Sequence, residues 1–394
     1  MALNPPLLAL AIGAFGIGVT EFTPMGMLPL MAGDLGVSIP AMGLVVSAYA
    51  LGVQVGAPLV TLATARMPRR RLLVGLMAIF TLGNLMAALA DSHAMVVVAR
   101  LVTSLNHGAF FGVGAVVAAG IVPPERRAAA VAAMFSGLTV ALIGGVSLAA
   151  WIGVEFGWRS AFWGIVGVGA ASMLALRLAL PELRAEPGAD LRAELRVLGR
   201  GPVLAALALT TIGFSAMFTL FTYIVPILHT ETGATTSLVT AMLVLNGIGL
   251  AAGNWLGGRL ADRSIDGTIL AALAAHIAIL VLFAGPMRSP ASVAILMVLW
   301  GVASFAIVPP LQMRVMEKAG AAPNLASAMN IGAFNLGNAI GAAVGSGVID
   351  AGFGLPALPL AGAALAAMAL LLILWLRRGS RPRSAGAAAI RGSV

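Results

Sequence analysis

Long apolar stretches separated by short polar breaks fill the chain. Twelve of them reach the roughly 20 residues that a spanning helix needs. They cover residues 6–31, 41–64, 72–90, 94–119, 128–153, 160–180, 203–229, 237–260, 268–287, 292–315, 325–349 and 356–376. The breaks are short and polar, as in GDLGVSIP, RMPRRR, DSH, PPERR and EFGWR, with a longer one from Pro181 to Pro202. The pattern predicts an all-α integral membrane protein with twelve transmembrane helices. The N-terminus has no basic n-region, and its apolar run is too long for a signal h-region. It therefore reads as a first spanning helix and not as a cleaved leader.

Sliding the sequence by half of its 394 residues brings like onto like. Pro5 meets Pro202, Gly16 meets Gly213, Pro29 meets Pro226 and Gly36 meets Gly233. Gly52 meets Gly249, Gly56 meets Gly253 and Arg66 meets Arg263. One register without a gap predicts two pseudo-symmetric six-helix bundles in parallel orientation, 1–180 and 203–376. A cytoplasmic linker, 181–202, joins them. In it Leu191, Leu195 and Leu198 recur at helical spacing between Arg192, Arg196 and Arg200, as in a short amphipathic helix on the inner leaflet. The Ala/Gly/Ser-rich tail, 377–394, is expected to be disordered and cytoplasmic. Two such bundles related by an axis along the membrane normal resemble the major-facilitator arrangement, which implies a site at mid-depth between them.

Composition supports the membrane reading. The chain is 60% hydrophobic and 9% charged, with a mean hydropathy of +1.03, where soluble domains carry about 25% charged residues. The net charge of +9 raises the question of a nucleic-acid partner, and its placement answers it. With both termini cytoplasmic, all of the 23 basic residues except Arg100, Arg159 and Arg288 fall on the cytoplasmic side. This is the positive-inside asymmetry of an inner-membrane protein, and no nucleic acid is needed to explain it. The chain has no cysteine, which excludes thiol chemistry. It has no HExxH pair, no serine nucleophile motif with a supporting histidine and no nucleotide loop. Neither an enzyme, nor a cofactor, nor a metal is expected.

Several motifs then fall into place. Gly258-Arg-Leu-Ala-Asp262-Arg263, between spans eight and nine, resembles the cytoplasmic loop motif of the major facilitator superfamily. Its counterpart between spans two and three keeps Arg66, Arg70 and Arg71 but has Thr61, Ala65 and Pro68 in place of a Gly, an Asp and a Gly. Arg100 with Gly108 resembles the family's fourth-helix motif. Span five, with Gly137, Gly144, Gly145, Ser147 and Ala149, is similar to the antiporter motif, with Ser147 where a Pro is usual and Ala149 where a Gly is usual. TEF…MG.LP, APLVTLATARMPRRRLL, NHGAFFGVGAVVA and GWRSAFW together resemble the drug:proton antiporter branch, in particular the bacterial arabinose and sugar efflux permeases. The resemblance covers nearly the whole chain. It implies a proton-coupled exporter of a small organic solute, acting as a monomer, with spans one and four lining a central cavity.

Glu21 is the one acid deep in a span. At about 1.5 Å per residue from Met31 it lies ~15 Å below the outer boundary, near the middle of a core about 30 Å thick. Arg100, the one deep basic residue, lies ~9 Å in from the same face when counted from Ala94. His107 follows Arg100 by nearly two turns and shares its face. Glu21, Arg100 and His107 thus form a candidate proton site, with Glu21 facing water and Arg100. The alternatives are a static Glu21–Arg100 pair that fixes helix packing and a hydrogen-bonded interior His107. An ionisable group at this depth is a functional hypothesis by default.

Substrate contacts are expected from Phe15, Asn106, Phe110, Phe214, Phe218, Tyr223, Trp300, Asn330 and Asn335. An aromatic wall with a few amides suits a sugar or an amphipathic drug alike. Arg66, Arg70, Gly258, Asp262 and Arg263 are expected to gate the cytoplasmic side by charge pairing and contact with a helix end. Gly337, Gly341 and Gly345, like Gly52 and Gly56, recur every fourth residue and allow close helix approach, as seams along which the halves could rock. The competing readings are facilitated or proton-symport uptake, and a non-transporting sensor of the same fold.

Overall fold

The computed structural model describes residues 4–182, 191–285, 287, 289–320 and 323–379. Arg288, Arg184 and the tail beyond residue 379 lie outside the described residues, and so do the expectations placed on them. The first six helices are α1 (Pro5–Asp34), α2 (Ile39–Ala63), α3 (Arg69–Ala88), α4 (His93–Gly120), α5 and α6 (Trp158–Ala179). Helix α5 runs as Arg127–Val140 and Val146–Phe156, joined by a π-helical turn at Ala141–Gly145. After a linker helix, Leu191–Leu198, come α7 (Gly201–Phe221, continued by Ile224–Thr230), α8 (Thr236–Ala261) and α9 (Ile265–Phe283). The chain ends with α10 (Pro290–Ala306, continued by Val308–Ala319), α11 (Pro323–Asp350) and α12 (Leu358–Gly379). These twelve helices form two six-helix bundles.

The repeat extends to the turns. Gly36 and Gly233, which coincide in the half-length register, both take φ of 64°, a left-handed conformation that side chains resist. Two residues after each, Ser38 and Thr235 cap the next helix by accepting the amides of Ala41 and Leu238. A glycine turn followed by a hydroxyl cap is thus the local code for the corner before α2 and before α8.

Among the described residues, eleven helices are long and apolar enough to cross a membrane; α11 is the remaining one. Its asparagines Asn324, Asn330, Asn335 and Asn338 and its many glycines dilute its hydropathy. Asn330, Gly332, Gly337, Gly341 and Gly345 are buried, because α11 packs on α7 of its own bundle and on α2 and α4 of the other. Facing protein removes the need to be apolar all round.

The glycine seams lie inside the bundles. A Cβ at Gly249, Gly253 or Gly257 of α8 would overlap the carbonyls of Val298, Val302 and Ala306 on α10. At Gly52 and Gly56 it would meet Ser104 and Leu105 of α4, the pseudo-symmetric contact. Gly337, Gly341 and Gly345 seat α11 on the backbone of α7. This corrects the expectation that the seams are sliding surfaces between halves. Backbone-to-backbone packing without intervening side chains joins helices of one bundle into a rigid body.

The linker forms the expected short helix, Leu191–Leu198. Val197 is buried against Val203, Ala206, Val315, Ala319 and Ala326, so the helix docks on the second bundle, and Leu195 stays exposed. Glu182 of the linker accepts from Arg70 Nη2 at 3.2 Å.

At the end opposite the arginine-rich loops, the GWRS segment closes the first bundle. Arg159 Nη1 donates to Asp34 Oδ2 at 2.6 Å, and Trp158 Nε1 donates to the same oxygen at 3.0 Å. Arg159 Nε and Nη2 both donate to the Ala90 carbonyl, at 2.9 and 2.7 Å. One guanidinium thus ties the ends of α1, α3 and α6. Both charged groups are partly exposed, which limits the effect. Arg159→Ala is expected to lower the thermal midpoint by a few degrees, of the order of 2–4 °C, read by a thermal-shift assay in detergent.

Candidate functional site

The site starts from a proline. Pro24 sits inside α1 and has no N–H, so the Thr20 carbonyl one turn earlier has no partner in its own helix. Arg100 of α4 supplies one, with Nη1 donating to Thr20 O at 2.8 Å. The same nitrogen lies 3.3 Å from Thr20 Oγ1, and Nη2 lies 3.4 Å from the Glu21 carbonyl oxygen. Thr20 Oγ1 in turn donates to Asn84 Oδ1 of α3 at 2.5 Å. Arg100 is fully buried, and its guanidinium lies 4.0 Å above the Tyr49 ring of α2. This corrects the expected Glu21–Arg100 pairing. Arg100 holds the backbone of α1, not the Glu21 carboxylate, because a proline-broken turn offers fixed acceptors to a buried cation.

The Glu21 carboxylate points instead into a cavity between the bundles. Its Oε2 lies 4.0 Å from His107 Nδ1, too far for a hydrogen bond. His107 Nδ1 has a nearer partner, the Tyr49 hydroxyl at 2.9 Å. The His107 ring packs on Phe111, one turn along α4, which stacks on Phe135 of α5.

The cavity encloses about 640 Å³ of space, its open mouth included. The first bundle contributes Glu21, Phe22, His107, Phe111, Phe135, Leu138 and Leu142. The second contributes Phe214, Met217, Phe218, Phe221, Phe305, Val308, Ile331, Phe334, Asn335 and Asn338. Glu21 and His107 are the titratable lining groups. Phe218, the half-length counterpart of Glu21, stands on the opposite wall, so the titratable chemistry of the cavity belongs to one bundle. Asn335 Nδ2 donates to Ile331 O at 3.0 Å, while Asn338 Oδ1 is buried without a partner.

Of the residues expected to contact substrate, Phe214, Phe218 and Asn335 line the cavity. The other six lie off it. Phe15 packs on Gly145, and Phe110 on Gly13. Asn106 donates to Met77 Sδ at 3.8 Å. Tyr223 donates to Ala342 O at 2.9 Å. Trp300 Nε1 donates to His276 Nε2 at 3.2 Å. Asn330 donates to Gln312 Oε1 at 2.7 Å. The cause is helical rotation. Residues 107 and 111 share the cavity face of α4, and residues 106 and 110 are turned about 100° away from it. Among the described residues no cluster of metal-ligating side chains is present.

On the arginine-rich end the bundles touch. Asp262, just past α8, accepts from the amides of Ala128 at 2.7 Å and Ala129 at 3.2 Å. These are first-turn amides of α5, which have no intrahelical partner. Burial pushes the Asp262 carboxyl above its ordinary value, against the opposing pull of the two amides and Arg126. Gly258 packs on Ala132 and on the backbone of Ala128 and Ala129, and Asn254 Nδ2 donates to Ala132 O at 2.6 Å. Across the other seam, Ser327 Oγ donates to Gly112 O at 2.8 Å and Gln54 Nε2 to Gly332 O at 2.8 Å. Arg66 and Arg263 are exposed. Arg70 bonds the linker, so it acts within its own side of the molecule.

Comparison with known proteins agrees with this architecture. The chain is 54% identical over 378 residues to the inner membrane transport protein YdhP of Escherichia coli (strain K12), covering 96% of this chain and 97% of that protein. It is 32% identical over 346 residues to a chloramphenicol resistance protein of Streptomyces lividans, covering 85% and 87% of the two chains. The solved structure of the proton:xylose symporter XylE superposes with a TM-score of 0.77 at 15% identity, covering 94% of this chain and 95% of that one. At that identity the likeness shows the fold. The Major Facilitator Superfamily profile matches residues 10–332, and with twelve helices in two bundles around a central cavity, the chain belongs to this superfamily of membrane transporters.

Proposed function

We propose that this transporter exports a small organic solute across a bacterial inner membrane in exchange for protons. The carrying observation is Glu21, the one carboxylate lining a cavity between two bundles that touch at one end. Alternating access exposes it to either side in turn, so it takes a proton on one side and releases it on the other. Solute and proton compete for the cavity. In this reading both termini are cytoplasmic, the bundles span 1–180 and 203–376, the linker is 181–202, and the protein works as a monomer. The end sealed by Asp262, Gly258 and Ser327 is then the cytoplasmic gate. YdhP's name supports the membrane, and the chloramphenicol resistance relative supports the outward direction.

The wall of the cavity favours an aromatic or otherwise lipophilic solute over a sugar. A sugar needs many directional polar partners, or its hydroxyls are buried unpaired at a cost of about 1–3 kcal/mol each. Against a mostly phenylalanine wall, the cavity offers Glu21, His107, Asn335 and Asn338. Pentoses and hexoses are expected to leave the melting temperature of the purified protein unchanged, whereas aromatic amines and aromatic amides raise it. Stabilisation by sugars alone would contradict this choice.

A second reading, proton-coupled uptake, is favoured by one feature. Ser147 and Ala149 replace the Pro and Gly of the antiporter motif, and α5 carries a π-helical turn at Ala141–Gly145 just before them. Transport assays in vesicles of both orientations separate the two readings. Export predicts solute accumulation in inside-out vesicles when the lumen is acidified; uptake predicts accumulation in right-side-out vesicles when the exterior is acidified.

A further inference from the structure

We propose that Tyr49 is a positioning residue of the proton site: its hydroxyl donates to His107 Nδ1 and so withholds that nitrogen from the proton of Glu21. The inference rests on the reading of Glu21 as the proton carrier and adds a control element to it.

The geometry concentrates on one atom. His107 Nδ1 lies 2.9 Å from the Tyr49 hydroxyl and 4.0 Å from Glu21 Oε2. A neutral imidazole nitrogen accepts one hydrogen bond in its plane, so the two oxygens are rivals for it. Tyr49 holds the place now. Its ring is pinned from the other side by the Arg100 guanidinium, 4.0 Å from the centroid, and Arg100 is itself fixed on the Thr20 carbonyl. A cation against the ring face makes the phenol a stronger donor. Assigned as the donor of the pair, the hydroxyl leaves His107 with its proton on Nε2.

The groups facing His107 can be named element by element. Helix α1 presents Glu21, α2 presents Tyr49, and α4 itself presents Arg100 two turns away. Helices α5 and α11 present Phe135, Leu138, Asn335 and Asn338, and among the described residues none of these elements adds a titratable side chain to the cavity. Helix α3 meets this region through Met77 and Asn84. The charge state of the site is thus decided by four side chains, and Tyr49 determines which of them may share a proton.

With Tyr49 in place, a proton on Glu21 finds no acceptor at Nδ1 and leaves readily. Without the hydroxyl, Nδ1 is free, and a small carboxyl rotation lets protonated Glu21 donate to it. With the His107 proton still on Nε2, the protonated state gains a bond, while the deprotonated state sets a carboxylate against a bare lone pair. Removing the hydroxyl therefore favours the proton-loaded site, and the site should titrate at higher pH. One buried hydrogen bond corresponds to a shift of about one pH unit.

The test is infrared difference titration of the full-length protein in lipid. The carboxylic acid C=O band assigned to Glu21 is the one missing in Glu21→Gln. Tyr49→Phe keeps the ring under Arg100 and is expected to raise the midpoint of that band by about one unit. In a His107→Gln background the same substitution is expected to shift it by less than a third as much, since Tyr49 acts through His107. An unchanged or lowered midpoint in Tyr49→Phe, or an equal rise in the His107→Gln background, overturns the proposal. A parent protein with no titrating Glu21 band overturns the proton-carrier reading first, and this one with it. A titrating band that ignores Tyr49 overturns this proposal alone.

Discussion

Glu21→Gln is expected to abolish uphill transport while leaving downhill exchange intact. A carrier that exchanges one proton per solute across a difference of two pH units can concentrate its solute up to about 100-fold, since each unit contributes about 1.36 kcal/mol. Glutamine has nearly the shape of protonated glutamate but carries no titratable proton. The variant should bring solute to equal concentrations on both sides and stop there. Its exchange of labelled for unlabelled solute should proceed, because the rest of the cavity wall, the Arg100–Thr20 contact and the gate are untouched. Proteoliposomes with an imposed pH gradient and a radiolabelled aromatic solute measure both quantities. Loss of uphill transport and exchange together would point to a structural role for Glu21, as in the static reading of the residue. Retention of both would move the coupling proton elsewhere.

The second large effect is expected at the sealed end. Asp262 places a carboxylate on two first-turn amides of α5, where charge-assisted bonds and the helix dipole act together. Asp262→Ala removes both acceptors from amides that have no other partner. The sealed arrangement should lose about 1.5–3 kcal/mol, enough to raise the open population by tenfold or more. The chain has no cysteine, so one engineered thiol reports the change. Ser327 is fully buried at the junction of α4 and α11. Ser327→Cys should react slowly with a maleimide in the parent, and at least about tenfold faster with Asp262→Ala. Gly258→Val should act in the same direction by wedging α8 away from Ala132. Labelling that is equally slow in all three proteins would mean that the seal does not depend on this junction.

Much of this was legible in the sequence because it depends on composition along one line. Apolar runs set the spans, arginine-rich breaks mark one end, and a lone acid in a span announces itself. The repeat register reached as far as the paired turns at Gly36 and Gly233. What escaped depends on rotation about a helix axis and on contacts between distant helices. Tyr49 sits in an apolar run with no local mark, and becomes significant only where α2 meets α4. Phe135, Phe221, Phe305 and Phe334 line the cavity, while Phe15, Phe110 and Trp300 pack elsewhere, although all are aromatic residues in spans. One signal was available. Pro24 leaves the Thr20 carbonyl unpaired wherever α1 is helical, and a buried arginine is a natural partner for it. Arg100 is found on that backbone acceptor, not on the Glu21 carboxylate.

The most direct test of the exchange mechanism is proton release on solute binding. The purified protein, in detergent and weak buffer, is mixed with an aromatic ligand that raises its melting temperature, and the pH of the solution is followed. The account predicts release of up to about one proton per bound ligand from the parent protein, and none from Glu21→Gln at matched occupancy. Equal release from both would place the competing proton on another group and contradict the role given to Glu21. Binding without release by either, at any pH between 6 and 9, would contradict proton exchange itself.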